Sequence, residues 1–317
     1  MMVLDATCRK WLQDRFGKDV RFDEPMSRHT SLKVGGPADA FVTPAALEDL
    51  QTLIRWSRQA KLPFLVIGGG TNLLVKDAGI AGIVVALTKC LNQISKTGSR
   101  GGGVTVRAMA GARLHKLCAF AIAAGLKGMN FALGIPGTVG GAIMMNAGTS
   151  HGWMQDVLEE ITLLAPAGET RTVAKERLDF SYRKLSLKNT NANGGPGYPI
   201  VIDGLFYLQP SDGAKLRQEA DEILNRRRAT QPTHLPSAGC FFKNPASGKS
   251  AGELIDLAGL KGKKIGGALI SPQHANFIVN SGGASAGDML ALMETARNTV
   301  LKLFNIELEP EVKIVGR

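Results

Sequence analysis

The segment 134–148 constrains the fold of this chain more than any other stretch. It reads Gly-Ile-Pro-Gly-Thr-Val-Gly-Gly-Ala-Ile-Met-Met-Asn-Ala-Gly, with five glycines in fifteen positions. Glycine loses much backbone entropy on folding, but it allows positive φ and close approach of the backbone. Converging backbone N–H groups can bind an anion, while Ile135, Val139 and Ile143 supply an apolar wall. The segment therefore predicts a ligand-binding loop.

A second glycine-rich loop lies upstream. The run 64–67 predicts a buried strand, which leads into Gly68-Gly69-Gly70-Thr71-Asn72 before an apolar run resumes at Leu73. The dinucleotide signature Gly-x-Gly-x-x-Gly is incomplete because the third glycine is absent, and no Gly-Lys-Ser/Thr follows as in a P-loop. A single glycine triplet is equally consistent with a bare turn. Two such loops in one chain indicate one long ligand.

Length and composition favour a globular protein of two or three domains. The chain has 317 residues, of which 44% are hydrophobic and 21% charged, which is ordinary usage for a soluble protein. Charged residues including Asp5, Arg9 and Lys10 stand where a signal peptide would have its apolar core. No later stretch is apolar for long enough to span a bilayer. We therefore expect a cytoplasmic protein.

Cysteine and histidine spacing predicts neither a disulfide framework nor a metal site, because the cysteines are widely separated and the histidines lack metal-ligand spacing. The net charge of +11 fits either a nucleic-acid binder or a protein that binds small anions. Aromatic residues make up only 6%, and the basic residues are scattered apart from the runs 226–228 and 261–264. We therefore favour small anionic ligands and expect no nucleic-acid partner.

Helix and turn signals divide the chain into predicted elements. Thr43-Pro44 predicts the N-cap and first turn of a helix, and the Asn-, Gly- and Pro-rich run 189–199 predicts a surface loop. Capping boxes begin at Ser250 and Ser285, and the second opens the last long helix, whose predicted inward face includes Leu303. These signals place the start of a separate C-terminal unit shortly after residue 210.

The chain ends on a predicted strand. Ile306, Leu308, Val312 and Ile314 alternate with charged residues, and Pro310 indicates an edge or a bulge. By this pattern alone, the three glutamates between them are the solvated face of an edge strand.

Blocks of sequence with distinctive composition follow one another along nearly the whole chain: Thr30–Ala38, Val66–Val75, Gly134–Gly148, Phe180–Arg183, Ser237–Pro245, Ala251–Asp256, Gly259–Gly262, His274–Asn280 and Leu308–Val312. In this order they resemble the UDP-N-acetylenolpyruvoylglucosamine reductase (MurB) family, in the form that lacks an extra tyrosine-bearing loop. The resemblance implies an α+β fold: a two-subdomain FAD-binding fold of the vanillyl-alcohol-oxidase type plus a C-terminal α+β substrate-binding domain. The implied divisions are 1–88 and 89–209 for the two FAD-binding subdomains, with the final strand 306–317 returning to this part, and 210–305 for the substrate-binding domain.

The resemblance also implies a reaction. NADPH would reduce non-covalently bound FAD and leave, and UDP-N-acetylglucosamine enolpyruvate would take its place and be reduced to UDP-N-acetylmuramate for peptidoglycan synthesis. Hydride from FAD would reach C3, and a proton would reach C2. Successive occupants of one cleft need no separate nicotinamide-binding motif, which fits the incomplete signature at residues 68–73.

Three residues match the catalytic positions of the family. Arg183 would hold the substrate carboxylate through paired hydrogen bonds, although a surface salt bridge is the commoner role for an arginine. Cys240 would protonate C2, since a free cysteine with a pKa of ~8.5 is mostly thiol at neutral pH; serine is more usual here in the family, and a small buried apolar residue is the alternative. Glu311 would help to stabilise the intermediate derived from the carboxylate.

Further contacts follow from the same resemblance. FAD is expected at Gly68, Gly69, Gly70, Thr71, Asn72, Ile135, Pro136, Gly137, Thr138, Gly140, Gly141 and Ala142. Substrate is expected at Tyr182, Arg228, Gln231, Lys243 and Asn244. Thr71 and Asn130 replace a serine and a glutamate that are more usual in the family. A monomer is favoured, and no metal or membrane insertion is expected.

Two other classes stay open at this point. An FAD oxidase or dehydrogenase of the same fold, acting on a sugar or hydroxy acid, predicts rapid use of oxygen and often a covalently tethered flavin. The blocks around Arg183, Cys240 and Glu311 argue against it. A basic binding protein without enzymatic activity predicts a colourless preparation and salt-dependent binding of nucleic acid.

Overall fold

The computed structural model describes residues 4–188, 199–246 and 248–317, so nearly all of the predicted loop 189–199 lies outside the described residues. The α-helices are α1 Ala6–Phe16, α2 Leu47–Gln59, α3 Leu114–Ala123, α4 Val139–Met144, α5 Met154–Val157, α6 Gly213–Thr230, α7 Ala251–Leu257 and α8 Ala286–Phe304. The strands are β1 Val20–Pro25, β2 Pro37–Val42, β3 Phe64–Ile67, β4 Leu73–Val75, β5 Ile80–Ala86, β6 Ile94–Arg100, β7 Gly103–Met109, β8 Leu126–Lys127, β9 Gly148–Thr149, β10 Gly152–Trp153, β11 Leu158–Leu164, β12 Thr170–Ala174, β13 Leu178–Ser181, β14 Lys184–Leu187, β15 Ile200–Pro210, β16 Ser237–Cys240, β17 Lys264–Ile265, β18 Ala268–Ile270, β19 Phe277–Asn280 and β20 Lys313–Val315.

The chain folds into two compact units. The first unit comprises Met1–Phe22, Ala40–Gly69 and Gly82–Asn225, and the second comprises Asp23–Asp39, Gly70–Ala81 and Arg226–Arg317. One division falls inside the glycine triplet 68–70 and another inside α6. The three-part division implied by the resemblance stays a prediction.

The core of the first unit is built on a six-stranded sheet. Its strands follow the order β12-β11-β15-β7-β6, and β8 pairs with β15 beyond this path. Alternating residues of the central strands are fully buried, among them Val106, Ile161 and Phe206, as expected for strands that are covered on one face. A parallel pair, β3 with β5, brings Phe64 opposite Ile83 and ends at the first glycines of the triplet.

The second unit has its own core, around the four-stranded sheet β16-β19-β18-β17. Helix α8 buries Met289, Leu292 and Val300 completely, but Leu303 is 56% exposed, so the prediction that Leu303 points inward is wrong. The capping box at Ser285 is confirmed, since its hydroxyl accepts a hydrogen bond from Asp288 N at 3.0 Å. Backbone N–H groups that bond to Asp288 hold the pKa of its carboxyl below the usual value.

Two predicted boundaries are wrong. Helix α2 begins at Leu47 with Ala46 as its N-cap, because Thr43 continues the preceding backbone pairing and donates its N–H to Asp19 O at 2.9 Å. The terminal strand begins only at Lys313, where β20 pairs in parallel with β4. Leu308 is fully buried although it lies outside any strand, so its burial comes from packing of an irregular segment.

In the described part of the chain, none of the helices combines the length and apolar character that a bilayer crossing requires.

Candidate active site

In the first unit the two glycine-rich segments adjoin directly. A Cβ atom at Gly68 would lie 2.1 Å from the hydroxyl oxygen of Thr138, which is closer than real Cβ contacts. Thr138 is buried, and its hydroxyl caps α4 by accepting a hydrogen bond from Gly141 N at 3.4 Å. Glycine is therefore required at position 68 because the end of β3 touches the cap of α4.

We expect Gly68→Ala to lower the free energy of unfolding by about 1–3 kcal/mol, the usual range for an overpacked site. The matched control is Gly141→Ala. Its Cβ would lie 3.6 Å from the same Thr138 hydroxyl oxygen, an ordinary contact distance, and alanine has a higher helix propensity than glycine. Denaturant unfolding of the two apoprotein variants measures the difference. Equal stability of both variants would contradict the contact.

The start of α4 uses its own backbone donors. The N–H groups of Gly140 and Ala142 donate to Ala110 O and Thr138 O, each at 2.9 Å. A Cβ at Gly140 would lie 2.7 Å from the Cβ of Ala110, so this glycine allows close packing of helix on strand. Contacts from these two residues to a cofactor stay a prediction, and would have to use atoms other than these N–H groups.

Arg183 contacts two aromatic rings of the first unit. It occupies a two-residue hairpin turn between β13 and β14, with φ +60°, and its Nη1 donates to Gly148 O at 3.0 Å. Its guanidinium carbon is 5.2 Å from the ring centre of Tyr182 and 5.4 Å from that of Trp153. These cation–π contacts and the hydrogen bond fix the plane of the guanidinium. The structure thus brings the predicted Arg183 to the end of the segment 134–148.

Trp153 was not predicted from the sequence. Its ring contacts that of Tyr182 edge to face, with 5.7 Å between the ring centres. Glycine at position 148 leaves room for the indole, since a Cβ there would lie 2.4 Å from it. The pairing of β9 with β10 places Gly148 opposite Trp153. A lone tryptophan outside every recognised block carried no sequence signal for this role.

In the second unit the rest of the glycine triplet is held by the segment 29–31. Gly70 has φ +62°, and a Cβ there would lie 1.9 Å from His29 O. Ser31 donates its N–H to Gly70 O at 3.1 Å and its hydroxyl to Thr71 O at 3.3 Å. Ser31 of the Thr30–Ala38 block therefore fixes the backbone of the glycine loop.

Cys240 ends strand β16 just after a bulge. The register of β16 on β19 shifts between Ser237 and Cys240, and Gly239 takes φ +80° there; such bulges redirect side chains. Cys240 is half-buried, whereas Cys90 and Cys118 are buried, and burial raises their pKa to about 11 and about 12. Cys240 is therefore not one of the buried, inert thiols of this chain.

Glu311 differs from its two neighbouring glutamates. Glu307 and Glu309 are 70% exposed and form ion pairs with Arg297 and Lys243. Glu311 is half-buried, and its N–H donates to the carbonyl of Phe241 at 2.8 Å. Because Phe241 follows Cys240 directly, the structure joins the segments that carry two of the predicted catalytic residues.

Arg227 is a charged neighbour of Cys240 that the sequence did not single out. Burial lowers the pKa of its guanidinium, and its electrostatic interaction with Cys240 opposes that shift. Within the run 226–228, Arg226 and Arg228 are exposed and Arg227 is half-buried. The arginine triplet was visible in the sequence, but only the structure shows which of the three arginines is half-buried.

The predicted substrate contacts are divided between the units: Tyr182 in the first, and Arg228, Gln231, Lys243 and Asn244 in the second. Lys243 is paired with Glu309, and the Asn244 side chain accepts a hydrogen bond from Ala251 N at 3.1 Å. Their roles toward a substrate stay predictions. Among the described residues, no group of three or more His, Cys, Asp or Glu side chains could hold a metal ion.

Comparison with known proteins identifies the family. Residues 231–315 match the model of the UDP-N-acetylenolpyruvoylglucosamine reductase C-terminal domain, and residues 38–174 match an FAD binding domain. A UDP-N-acetylenolpyruvoylglucosamine reductase of Desulfosudis oleivorans is 48% identical over 99% of this chain and 100% of its own length. The chain belongs to the UDP-N-acetylenolpyruvoylglucosamine reductase family.

Other members of this family agree. The enzyme of Pelobacter propionicus is 44% identical over 93% of this chain and 95% of its own length. The crystal structure of the reductase from Thermus caldophilus superimposes with a TM-score of 0.75 at 36% identity, covering 92% of this chain and 97% of that one. The resemblance and the predicted fold class, an α+β FAD-binding fold with a C-terminal domain of the reductase family, are confirmed.

The glycine segments fit the FAD that the family membership implies. Gly68, Gly69 and Gly137 are half-buried and present accessible backbone, and Ile135 adds a half-buried apolar side chain. Backbone N–H groups suit phosphate oxygens, and an apolar side chain suits the flavin ring. FAD as the cofactor is supported by the matched binding domain, while the individual contacts stay predictions.

Proposed function

We propose that this protein reduces UDP-N-acetylglucosamine enolpyruvate to UDP-N-acetylmuramate, with NADPH as hydride donor and FAD as cofactor, and that Arg183, Cys240 and Glu311 are its catalytic residues. The observation that carries the reaction is the 48% identity to a reductase of this name over 99% of the chain. The protein is thus an FAD-dependent oxidoreductase of peptidoglycan precursor synthesis. The residue roles rest on the blocks that the chain shares with the family and on the geometry described above.

The chemistry sets three requirements on the protein. FAD, when bound, takes hydride from NADPH and supplies it to C3 of the enolpyruvyl group. Negative charge then develops at C2 and spreads into the carboxylate of the substrate. The site must therefore offer a cation for the carboxylate, a group that stabilises the developing charge and a proton for C2.

Arg183 is the proposed cation. Its guanidinium plane is fixed by the rings of Tyr182 and Trp153 and by the carbonyl of Gly148. A planar guanidinium donates two parallel hydrogen bonds to a carboxylate, and these strengthen as charge accumulates on the oxygens. A preorganised donor of this kind stabilises the transition state without reorganising during the reaction.

Cys240 is the proposed proton donor and Glu311 the proposed stabiliser. Cys240 is half-buried and stands next to the bulge at Gly239, and Arg227 nearby favours the thiolate that remains after the proton has left. Glu311 is held to the residue that follows Cys240 by its backbone N–H. Its carboxyl would act on the carboxylate end of the intermediate or relay a proton from solvent.

The proposal also includes the cofactor and substrate contacts predicted from the sequence. FAD is assigned to residues 68–72, 135–138 and 140–142, and the substrate to Tyr182, Arg228, Gln231, Lys243 and Asn244. A cytoplasmic location and a monomeric state stay predictions.

The test follows the flavin through both half-reactions. Purified, FAD-loaded protein is mixed with NADPH without oxygen, the loss of oxidised-flavin absorbance is recorded, and the UDP-linked enolpyruvate is then added. We expect reduction by NADPH and rapid return of the oxidised spectrum on addition of the enolpyruvate, with UDP-N-acetylmuramate identified by mass spectrometry. If the flavin stays reduced until oxygen is admitted, the proposed reductase activity is wrong, and the oxidase alternative takes its place.

A further inference from the structure

The side chain of Asn276 acts as an extra piece of β-strand beside the Cys240 segment. Asn276 is 2% exposed, its Oδ1 accepts from Phe242 N at 3.0 Å, and its Nδ2 donates to Phe242 O at 2.8 Å. The backbone carbonyl of Asn276 accepts from Phe241 N at 2.8 Å. One residue thus makes three hydrogen bonds to the two residues that follow Cys240.

The same short segment also carries Glu311. Phe241 O accepts from Glu311 N at 2.8 Å, and Phe242 forms an isolated bridge with Pro310. On the far side, Asn72 Nδ2 donates to Glu311 O at 3.2 Å, and Asn72 O accepts from Lys313 N at 2.9 Å. A continuous ladder therefore runs from Asn276 through the Cys240 segment and Glu311 to the glycine-rich loop.

We infer that Asn276 is a positioning residue for the protonation step, because its side-chain amide holds the Cys240 segment in fixed register with Glu311. The inference rests on the proposed function, which makes Cys240 the proton donor. It gives a purpose to the His274–Asn280 block, for which the reaction itself offers no role.

The amide of Asn276 satisfies both backbone groups of Phe242 at once. The regular pairing of β16 with β19 reaches Cys240 opposite Phe277 and stops there. Phe242 is 1% exposed, so an unpaired N–H or C=O at this position would be buried without water. A carboxylate offers no donor, and an alkyl side chain offers neither donor nor acceptor.

The backbone of Asn276 is in turn hydrogen-bonded to His274. Its N–H donates to Nδ1 of His274 at 3.3 Å, which requires that nitrogen to be unprotonated. Burial lowers the pKa of His274, and the nearby charge of Lys261 acts in the same direction. The neutral imidazole therefore persists at neutral pH and keeps Asn276 in place.

Asn280 supplies a matched control. It is also a buried asparagine, at the other end of β19, and its amide donates to Leu32 O at 3.1 Å and accepts from Gly282 N at 3.0 Å. Removing this amide likewise takes a side-chain hydrogen bond from a buried backbone carbonyl, that of Leu32, but its partners do not include residues 240–242 or 311. If both variants lose reoxidation rate, the cause is lower stability. If only the Asn276 variant loses it, the cause is a misplaced Cys240 segment.

The experiment compares Asn276→Ala, Asn276→Asp and Asn280→Ala as FAD-loaded proteins. Flavin reduction by NADPH and flavin reoxidation by the UDP-linked enolpyruvate are timed separately, and alkylation of Cys240 by iodoacetamide is followed by peptide mass spectrometry, with the buried Cys90 and Cys118 as references. We expect reoxidation to slow by about 10²-fold in Asn276→Ala, the usual effect of a misplaced catalytic group. Reduction should be unchanged, and Cys240 should be alkylated several-fold faster. Asn280→Ala should change none of these rates.

Each other outcome overturns a definite statement. Unchanged reoxidation and alkylation in a folded Asn276→Ala protein would remove the positioning role. If both Asn276 variants fail to fold while Asn280→Ala folds, Asn276 is a structural residue and the inference falls. If Cys240→Ala itself keeps normal reoxidation, the proposed proton donor is wrong, whereas faster alkylation of Cys240 in Asn276→Ala would still show that the amide holds the segment.

Discussion

The Cys240→Ala variant should reduce its flavin with NADPH at the wild-type rate but return it to the oxidised form about 10²–10⁴-fold more slowly when the UDP-linked enolpyruvate is added, the usual contribution of a general acid. Only reoxidation should slow, because the proton donor acts only after hydride has reached C3. Alanine removes the thiol proton without filling new space at a half-buried position. Anaerobic stopped-flow absorbance of the flavin measures both phases in one enzyme preparation.

Two further variants sharpen this result. Cys240→Ser keeps a donor of similar size, and we expect it to retain most of the reoxidation rate while losing the sensitivity to peroxide that an accessible thiol confers. Cys8→Ala removes the other half-buried thiol, which lies in α1 of the first unit, and should behave as wild type. If Cys240→Ala slowed both phases equally, the cysteine would serve flavin binding or folding rather than proton transfer.

Local signals predicted the elements that depend on neighbouring residues. The capping boxes at Ser250 and Ser285 form as the sequence indicates, because both partners lie within one helical turn. The strand before the glycine triplet ends at Ile67, where the glycines begin. The sequence also pointed to Gly68 and Thr138 as parts of one ligand-binding region, and the structure places them in contact.

Other features depend on partners distant in the chain and escaped prediction. The alternation from Ile306 to Ile314 resembles a strand, yet Leu308 is buried in an irregular segment, Pro310 forms only an isolated bridge, and the strand β20 begins only at Lys313. The amide of Asn276 mimics a strand for Phe242, 34 residues away in sequence. Periodicity reports which face is apolar, but it cannot report which backbone a side chain will complete.

We expect Arg183→Lys to lower the rate of flavin reoxidation by the enolpyruvate about 10²–10³-fold, the range found when one preorganised donor to a developing oxyanion is removed. Lysine keeps the positive charge, but it lacks the planar pair of N–H groups and the flat guanidinium that contacts the rings of Tyr182 and Trp153. Both residues must adopt the φ of +60° found here, so backbone strain is common to the two proteins. The difference therefore reports the guanidinium.

The control is Arg177→Lys, an exposed arginine just before the same hairpin, which should leave both phases unchanged. The balance between kcat and KM decides how Arg183 acts. A fall in kcat with little change in KM means that the guanidinium bonds more strongly to the carboxylate in the transition state than in the bound substrate. A rise in KM alone would mean equal binding of both states, and Arg183 would then be a substrate-binding residue that leaves charge stabilisation to other groups.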